Sequence, residues 1–377
     1  MKIVFASDSF KGSLSNHKIN TLLEESLRKN IPDAQYESFL MADGGEGTMD
    51  AIVSYCHGKK ISLTVHDPLF KNIKAEYGIL NDGSAIIETA SASGLPLVKE
   101  SERNPLLTST YGTGELIRDA LTKGCRKIYI TLGGSATNDG GTGALSVLGI
   151  RFLNGSKEVL KGTGENLRYI ETIDFKDLMP EVKETEFILL SDVKNPLCGK
   201  DGAVYTFAPQ KGADEEMMKE LEEGMQHYRK LMIQYFGFDA DMIKGAGAAG
   251  GCGAGFAVFL HAKMQSGVET VLDLEHFDEA IRDADYVITG EGCTDWQSAY
   301  GKVLQGVGEH CEKYHVPCIA ISGSLGKGYE EIKHHGITEL YETSLKDKPL
   351  AWNMAHAEEL YSNSADKVFS EISQKYK

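Results

Sequence analysis

Six short loops hold the residues of this chain whose types and spacing could do chemistry. They are Asp8-Ser9-Phe10-Lys11-Gly12, Asp43-Gly44-Gly45-Glu46-Gly47, Gly133-Gly134-Ser135-Ala136-Thr137-Asn138-Asp139-Gly140-Gly141, Asp192-Val193-Lys194-Asn195-Pro196-Leu197, Gly245-Ala246-Gly247-Ala248-Ala249-Gly250-Gly251 and Gly290-Glu291-Gly292-Cys293-Thr294-Asp295-Trp296-Gln297. Four of them combine glycine with Asp or Glu; the loop at 192 lacks glycine and the loop at 245 lacks an acid. Glycine lets a backbone approach an anion closely and present its N–H groups from turn or nest conformations. Carboxylates beside those donors would repel a bare phosphate, so the combination makes sense with a divalent cation between them. Mg²⁺ takes one or two carboxylates and fills its remaining positions with phosphate oxygens and water. Glycine loops, scattered acids and a few lysines are together the parts of phosphoryl transfer. Asp and Asn beside Gly are also common turn residues, so each loop alone reads equally well as a turn; six together do not.

Other chemistries lack their parts. Gly301-Lys302 has no earlier glycine at Walker A spacing and Val303 stands in the Ser/Thr place, and protein-kinase, GxSxG and HExxH signatures are absent. None of the eleven His falls in the six loops, which argues against a His-centred hydrolase. Gly245, Gly247 and Gly250 match a dinucleotide fingerprint, but the preceding residues 239–244 are polar rather than an apolar strand, so no NAD site is expected. The seven Cys form no CxxC pair, and Cys56-His57 are adjacent, a poor chelating spacing; reduced, mostly buried thiols are expected.

The elements that must position these loops alternate. Residues 2–7 read as a strand that ends at Asp8, and a helix follows, capped by Ser13 or Ser15, with Ile19, Leu22, Leu23, Ser26 and Leu27 on one face. A second strand over 36–41 runs into the Asp43 loop, and a helix continues to about Cys56. Short strands at 61–65, 75–80 and 85–88, with Asn81-Asp82-Gly83 between the last two, bring hairpin chemistry. Helices at 114–122 and 143–148 and strands at 127–132 and 187–190 follow. The run 215–236 reads as a long helix with Met218, Leu221, Met225, Tyr228 and Met232 as a core stripe. Strands at 286–289, 318–322 and 339–342 return to an α/β pattern. The division expected is a doubly wound domain from 1–65 and 272–377, with a mixed α/β domain over 66–271.

The 377 residues carry a net charge of −16, with 41% hydrophobic and 25% charged residues. This is the composition of a globular chain with a sizeable core. No basic block is present, which argues against nucleic acid or an anionic membrane as partner. No apolar run approaches the roughly 18 residues of a membrane span, and the opening apolar stretch is too short for a signal peptide; a cytoplasmic location is expected.

The motifs resemble those of the type 1 glycerate kinases. The resemblance rests on residues 2–14, Met41 to Thr48, Leu132 to Gly141, Ser191 to Leu197, Gly245 to Gly251 and Thr289 to Gly292, then Asp295, Gln297 and Gly301-Lys302, in order along essentially the whole chain. It implies ATP-dependent phosphorylation of D-glycerate to 2-phosphoglycerate, with ATP and Mg²⁺, and a flavodoxin-like domain beside a mixed domain similar to restriction enzymes. Two positions depart from the pattern: Ser7 stands in place of Pro, and Cys293 stands where a basic residue is common.

On that footing, Lys11 and Lys302 are expected to supply positive charge to a phosphate or to the glycerate carboxylate. Asp192 and Asp295 are the candidates for metal ligand and general base, in an order the residues leave open. Asp8, Ser9, Asp43, Glu46, Glu291 and Gln297 complete a polar substrate site, and Asn138 and Asn195 orient hydroxyls. The triphosphate cradle is expected at Gly247, Gly250 and Gly251, with Gly133, Gly134, Ser135 and Thr137 as its rival; which loop takes ATP and which takes glycerate stays open. A site in a cleft between the two domains is expected. The alternatives are a kinase of another small hydroxy acid and a non-catalytic sensor of a nucleotide or sugar acid.

Overall fold

The computed structural model describes residues 1–42, 44–45, 47–299 and 301–375. Asp43 and Glu46, both expected in the substrate site, lie outside the described residues. The chain groups into two compact units, Met1–Asp43 with Val268–Lys377, and Gly44–Gly267.

The discontinuous unit is built on five parallel strands. From one edge to the other they are Gln35–Ser38, Lys2–Ser7, Tyr286–Gly290, Cys318–Ser322 and Ile337–Glu342. Numbered along the chain of this unit, the order is 2-1-3-4-5. The three central strands are almost wholly buried, as apolar runs of parallel sheets covered on both faces must be. Ile3, Phe5, Ile288, Ile319 and Ile321 form one core with residues of the helices Asn16–Asn30 and Ala357–Lys375. Alternate strand residues point the other way, where the helix Val303–Tyr314 buries Val303, Leu304, Val307 and Cys311. Ser15 caps the helix Asn16–Asn30 by accepting the Lys18 N–H, and its five expected face residues are all buried. The strand expected over 36–41 stops at Ser38. Beyond it, Asn20 and Asn16 of that helix donate their amides to the carbonyls of Phe39 and Met41 at 3.3 and 2.5 Å, so side chains replace a ladder partner.

The second unit carries a mixed six-stranded sheet. Its strands run Lys263–Gln265, Glu186–Leu190, Lys127–Thr131, Ala85–Glu88, Asn72–Ile79 and Lys59–His66; the first four pair in parallel, and Asn72–Ile79 pairs antiparallel with both of its neighbours. Residues 44–65 group here rather than with the other unit, for a plain reason. Lys59–His66 pairs along its whole length with Asn72–Ile79, and the helix Thr48–Tyr55 packs so closely on that strand that a Cβ on Gly78 would sit 2.2 Å from Val53. The helix Glu215–Phe236 spans the expected residues and buries Leu221, Met225, Tyr228 and Met232 in the core, as a packing stripe rather than a cofactor box.

Candidate functional site

In open parallel sheets, ligands bind outside the carboxyl ends of the strands where the strand order reverses. In the discontinuous unit that point lies between Lys2–Ser7 and Tyr286–Gly290, paired in register up to Ser7 and Gly290. The Asp8 N–H donates to the Gly290 carbonyl at 2.8 Å, so Asp8 and Glu291 leave adjacent strand ends together. The Asp8 carboxylate accepts the Ser9 N–H at 2.7 Å. Phe10, buried and edge-on to Tyr361 at 5.4 Å, anchors the loop and leaves Lys11 exposed.

Glu291 is 7% exposed. Burial pushes its carboxyl above the usual glutamate range, while the Ser298 hydroxyl, the Lys302 ammonium and the Thr294 hydroxyl pull it back. Lys302 Nζ lies 3.8 Å from Glu291 Oε2, and Thr294 Oγ1 donates to Oε1 at 3.1 Å. These residues open on a cavity of about 510 Å³, lined by Asp8, Ser9, Phe10, Lys11, Glu291, Cys293, Lys302, Ser324, Thr343 and Ser344, and on a further side by Leu350, Asn353 and Met354. Asp295 and Gln297 are close in sequence but do not line it. Asp295 Oδ1 accepts the Gln297 N–H at 2.8 Å, and the Asp295 N–H donates to Ser298 Oγ at 3.1 Å, so Asp295 shapes the turn that carries Ser298 beneath Glu291.

Three of the other loops and the described part of the Asp43 loop gather at one end of the sheet of the second unit. A Cβ on Gly133 would sit 2.7 Å from Gly45 Cα, and one on Gly44 would sit 3.2 Å from the Leu190 carbonyl oxygen. Residues 245–251 pack between the other two loops. The Gly140 N–H donates to the Gly250 carbonyl at 3.0 Å and the Gly247 N–H to the Asn195 carbonyl at 3.1 Å. A Cβ on Gly250 (φ +63°) would lie 1.9 Å from the Thr137 carbonyl oxygen, and one on Gly247 would lie 2.2 Å from that of Pro196. These two glycines therefore serve loop-to-loop packing, and a Cβ on Gly251 would sit 3.0 Å from Met225 of the helix Glu215–Phe236. Gly133 and Gly134 are the more open: half-buried and exposed, with Ser135, Thr137 and Asn138 buried behind them. Asn195 donates its amide to the Asp201 carbonyl at 2.7 Å, which ties its own loop. Asp192 is half-buried after the strand Glu186–Leu190.

Two residues to which the sequence assigned no role organise this end. Asp139 is fully buried and accepts four bonds, from Thr110 N–H and hydroxyl and from the Gly141 and Gly143 N–H groups, at 2.7–3.1 Å. Lys211, 3% exposed, donates to the Thr137 carbonyl at 2.6 Å and to Ser135 Oγ at 3.1 Å; burial pushes its ammonium down to about 8. Lys211 stands beside Gly212 but outside the six loops, so its sequence context assigned it no role. The Asn138 side chain is wholly buried, and neither end of its amide has a hydrogen-bond partner among the described residues.

No group of three or more His, Cys, Asp or Glu poised for a metal occurs among the described residues. Asp192 and Asp295 belong to different units. The pair that leaves neighbouring strand ends is Asp8 and Glu291.

Comparison with known proteins adds the family. The model of the glycerate kinase family matches residues 3–373. A Bacillus cereus protein named glycerate kinase is 44% identical over 369 residues, 98% of this chain and 97% of that one. An Escherichia coli K12 protein named glycerate 2-kinase is 43% identical over 342 residues, 90% of each chain. A crystal structure of a provisionally named glycerate kinase 2 from Salmonella typhimurium LT2 superposes with a TM-score of 0.88 at 38% identity, covering 100% of this chain and 99% of that one.

Proposed function

This chain belongs to the glycerate kinase family, and on that premise we propose that it transfers the γ-phosphoryl group of ATP to D-glycerate, giving 2-phosphoglycerate and ADP. The observation that carries the proposal is the strand-end cavity, where two carboxylates, Asp8 and Glu291, meet two lysines, Lys11 and Lys302. Phosphoryl transfer asks for alignment and for neutralisation of charge spread over the transferred group. Lys11 and Lys302 supply fixed positive charge at the cavity. The carboxylate pair suits Mg²⁺, which takes one or two such ligands with phosphate oxygens and water. Asp8 and Glu291 would hold Mg²⁺, which would supply positive charge against that of the phosphates.

Asp192 and Asp295 remain candidates for metal ligand and general base. Glu291 and Asp8 are better placed in this reading, because both line the strand-end cavity and Asp295 does not. Ser9 belongs to the substrate site through its place in the cavity wall. Gly133, Gly134, Ser135 and Thr137, held by Lys211, form the phosphate- or acid-facing loop of the second unit. Gly247, Gly250 and Gly251 support that loop from behind. The strand order 2-1-3-4-5 supports the flavodoxin-like description of the discontinuous unit; likeness of the other unit to restriction enzymes stays a proposal.

The test is ADP release by the purified protein with Mg-ATP, with D-glycerate or with a panel of small hydroxy acids. Release that depends on D-glycerate supports the reading. Release with a different acid replaces the substrate, and release with none removes the kinase.

A further inference from the structure

The strand-end cavity has two chemically different sides. One is charged: Asp8, Lys11, Glu291 and Lys302. The other is apolar and uncovered. Leu350 and Met354 stand four residues apart on the helix Leu350–Ala355, so they share a face. Leu350 is 70% exposed and Met354 38% exposed, although both line the cavity. The side is held rigidly for an exposed feature. Asn353, 8% exposed, accepts the Leu345 N–H at 3.0 Å and donates to the carbonyls of Leu345 and Lys348 at 3.1 and 3.2 Å, which locks the turn that leads into the helix. The Met354 methyl also lies 3.1 Å from the position of a Cβ on Gly12, so this side adjoins the loop that carries Lys11.

A three-carbon hydroxy acid has no apolar surface to place against Leu350 and Met354. It would also fill little of a cavity whose 510 Å³ lies in the ~300–1,000 Å³ range of sites that enclose drug-sized molecules. A nucleotide has both halves: a flat apolar base and a polyanionic tail. Thioether sulfur packs favourably against aromatic rings. Resting on the kinase reading above, we propose that this cavity is the nucleotide seat, with the purine against Leu350 and Met354 and the phosphates toward Lys11 and Lys302.

The experiment compares full-length wild type with the double variant Leu350→Ser, Met354→Ser, using calorimetric titration of ADP and of pyrophosphate in Mg²⁺, and steady-state kinetics. Both side chains are exposed enough for the variant to fold. Losing the apolar contact should weaken ADP binding and raise KM for ATP about 10-fold, while pyrophosphate binding and KM for D-glycerate stay within about twofold. Unchanged ADP affinity in the double variant of a protein that still phosphorylates D-glycerate would overturn the nucleotide seat and leave the kinase intact. A raised KM for D-glycerate with unchanged ADP affinity would assign the wall to the acid and overturn it too. Wild type that neither binds ADP nor turns over would remove the kinase reading itself. Photolabelling of wild type with 8-azido-ATP gives a check independent of any variant. Label in the peptide carrying Leu350 and Met354 agrees with the seat, and label confined to residues 133–141 or 245–251 contradicts it.

Discussion

Glu291 and Lys302 stand 3.8 Å apart in the strand-end cavity, and each makes a separate demand on activity. Lys302 is half-buried and caps no helix through its side chain, so Lys302→Ala should leave Tm within a few degrees while kcat falls roughly 10²–10³-fold, the usual cost of removing a transition-state electrostatic contact. Near-normal turnover would contradict its role. Glu291 predicts a pH effect. Burial raises its carboxyl, so it gains a proton at a higher pH than an ordinary glutamate, and the acid limb of the rate profile should lie above the usual range near ~4.3. In Glu291→Gln that limb should disappear along with most of the activity; an unmoved limb would assign the titration elsewhere. Lys211 is tested by Lys211→Met, which keeps the bulk and removes the two bonds to the 135–137 loop; kcat/KM should drop about 10-fold or more as the loop loses its tether. Unchanged kinetics would make the lysine a packing residue only. Most of these residues were legible because acids and lysines beside glycines stand out in a sequence. Asp139 stood out in its loop but without a role, and Lys211, outside the six loops, did not, because its burial and its partners at 135 and 137 are distant along the chain.

At the scale of elements, the helical and strand patterns were read well wherever one face is buried, as in Asn16–Asn30 and Glu215–Phe236. What could not be read was the reason for glycine. The spacing of Gly245, Gly247 and Gly250 imitates a nucleotide fingerprint, yet in the fold it permits three loops to touch backbone to backbone. Gly250→Ala tests this. A methyl group 1.9 Å from the Thr137 oxygen at a positive φ has nowhere to go, and unfolding stability should fall by at least about 3 kcal/mol. A loss of activity with stability intact would instead favour a direct contact with ligand. The strand pairing also bears on where the chain divides: Lys59–His66 pairs with Asn72–Ile79, 6 to 20 residues further on, and that pairing groups it with the second unit.

For the whole molecule, one buried acid sets a pH dependence of stability separate from catalysis. Glu275 is fully buried, neither of its carboxyl oxygens has a hydrogen-bond partner among the described residues, and burial pushes it up to about 9. An unfolded glutamate ionises near ~4.3. The folded state therefore holds a proton that the unfolded state releases, and the contribution to stability is fully present below ~4.3 and is lost as pH rises toward about 9. Glu275→Gln cannot ionise. Its Tm should exceed wild type by on the order of 5 °C at pH 9 and converge with it near pH 4; parallel curves would show that Glu275 is charged in the fold. The net charge of −16 makes its own demand. A polyanionic substrate approaches against the overall field, so binding must come from local cations such as Lys11 and Lys302.

The central claim, that this family member makes 2-phosphoglycerate, is tested most directly by running its product into enolase. Purified protein with Mg-ATP and D-glycerate should release ADP and feed enolase at the same rate, with no intervening mutase. ADP release without enolase turnover would contradict the position of transfer, and no ADP release dependent on D-glycerate would contradict the claim altogether.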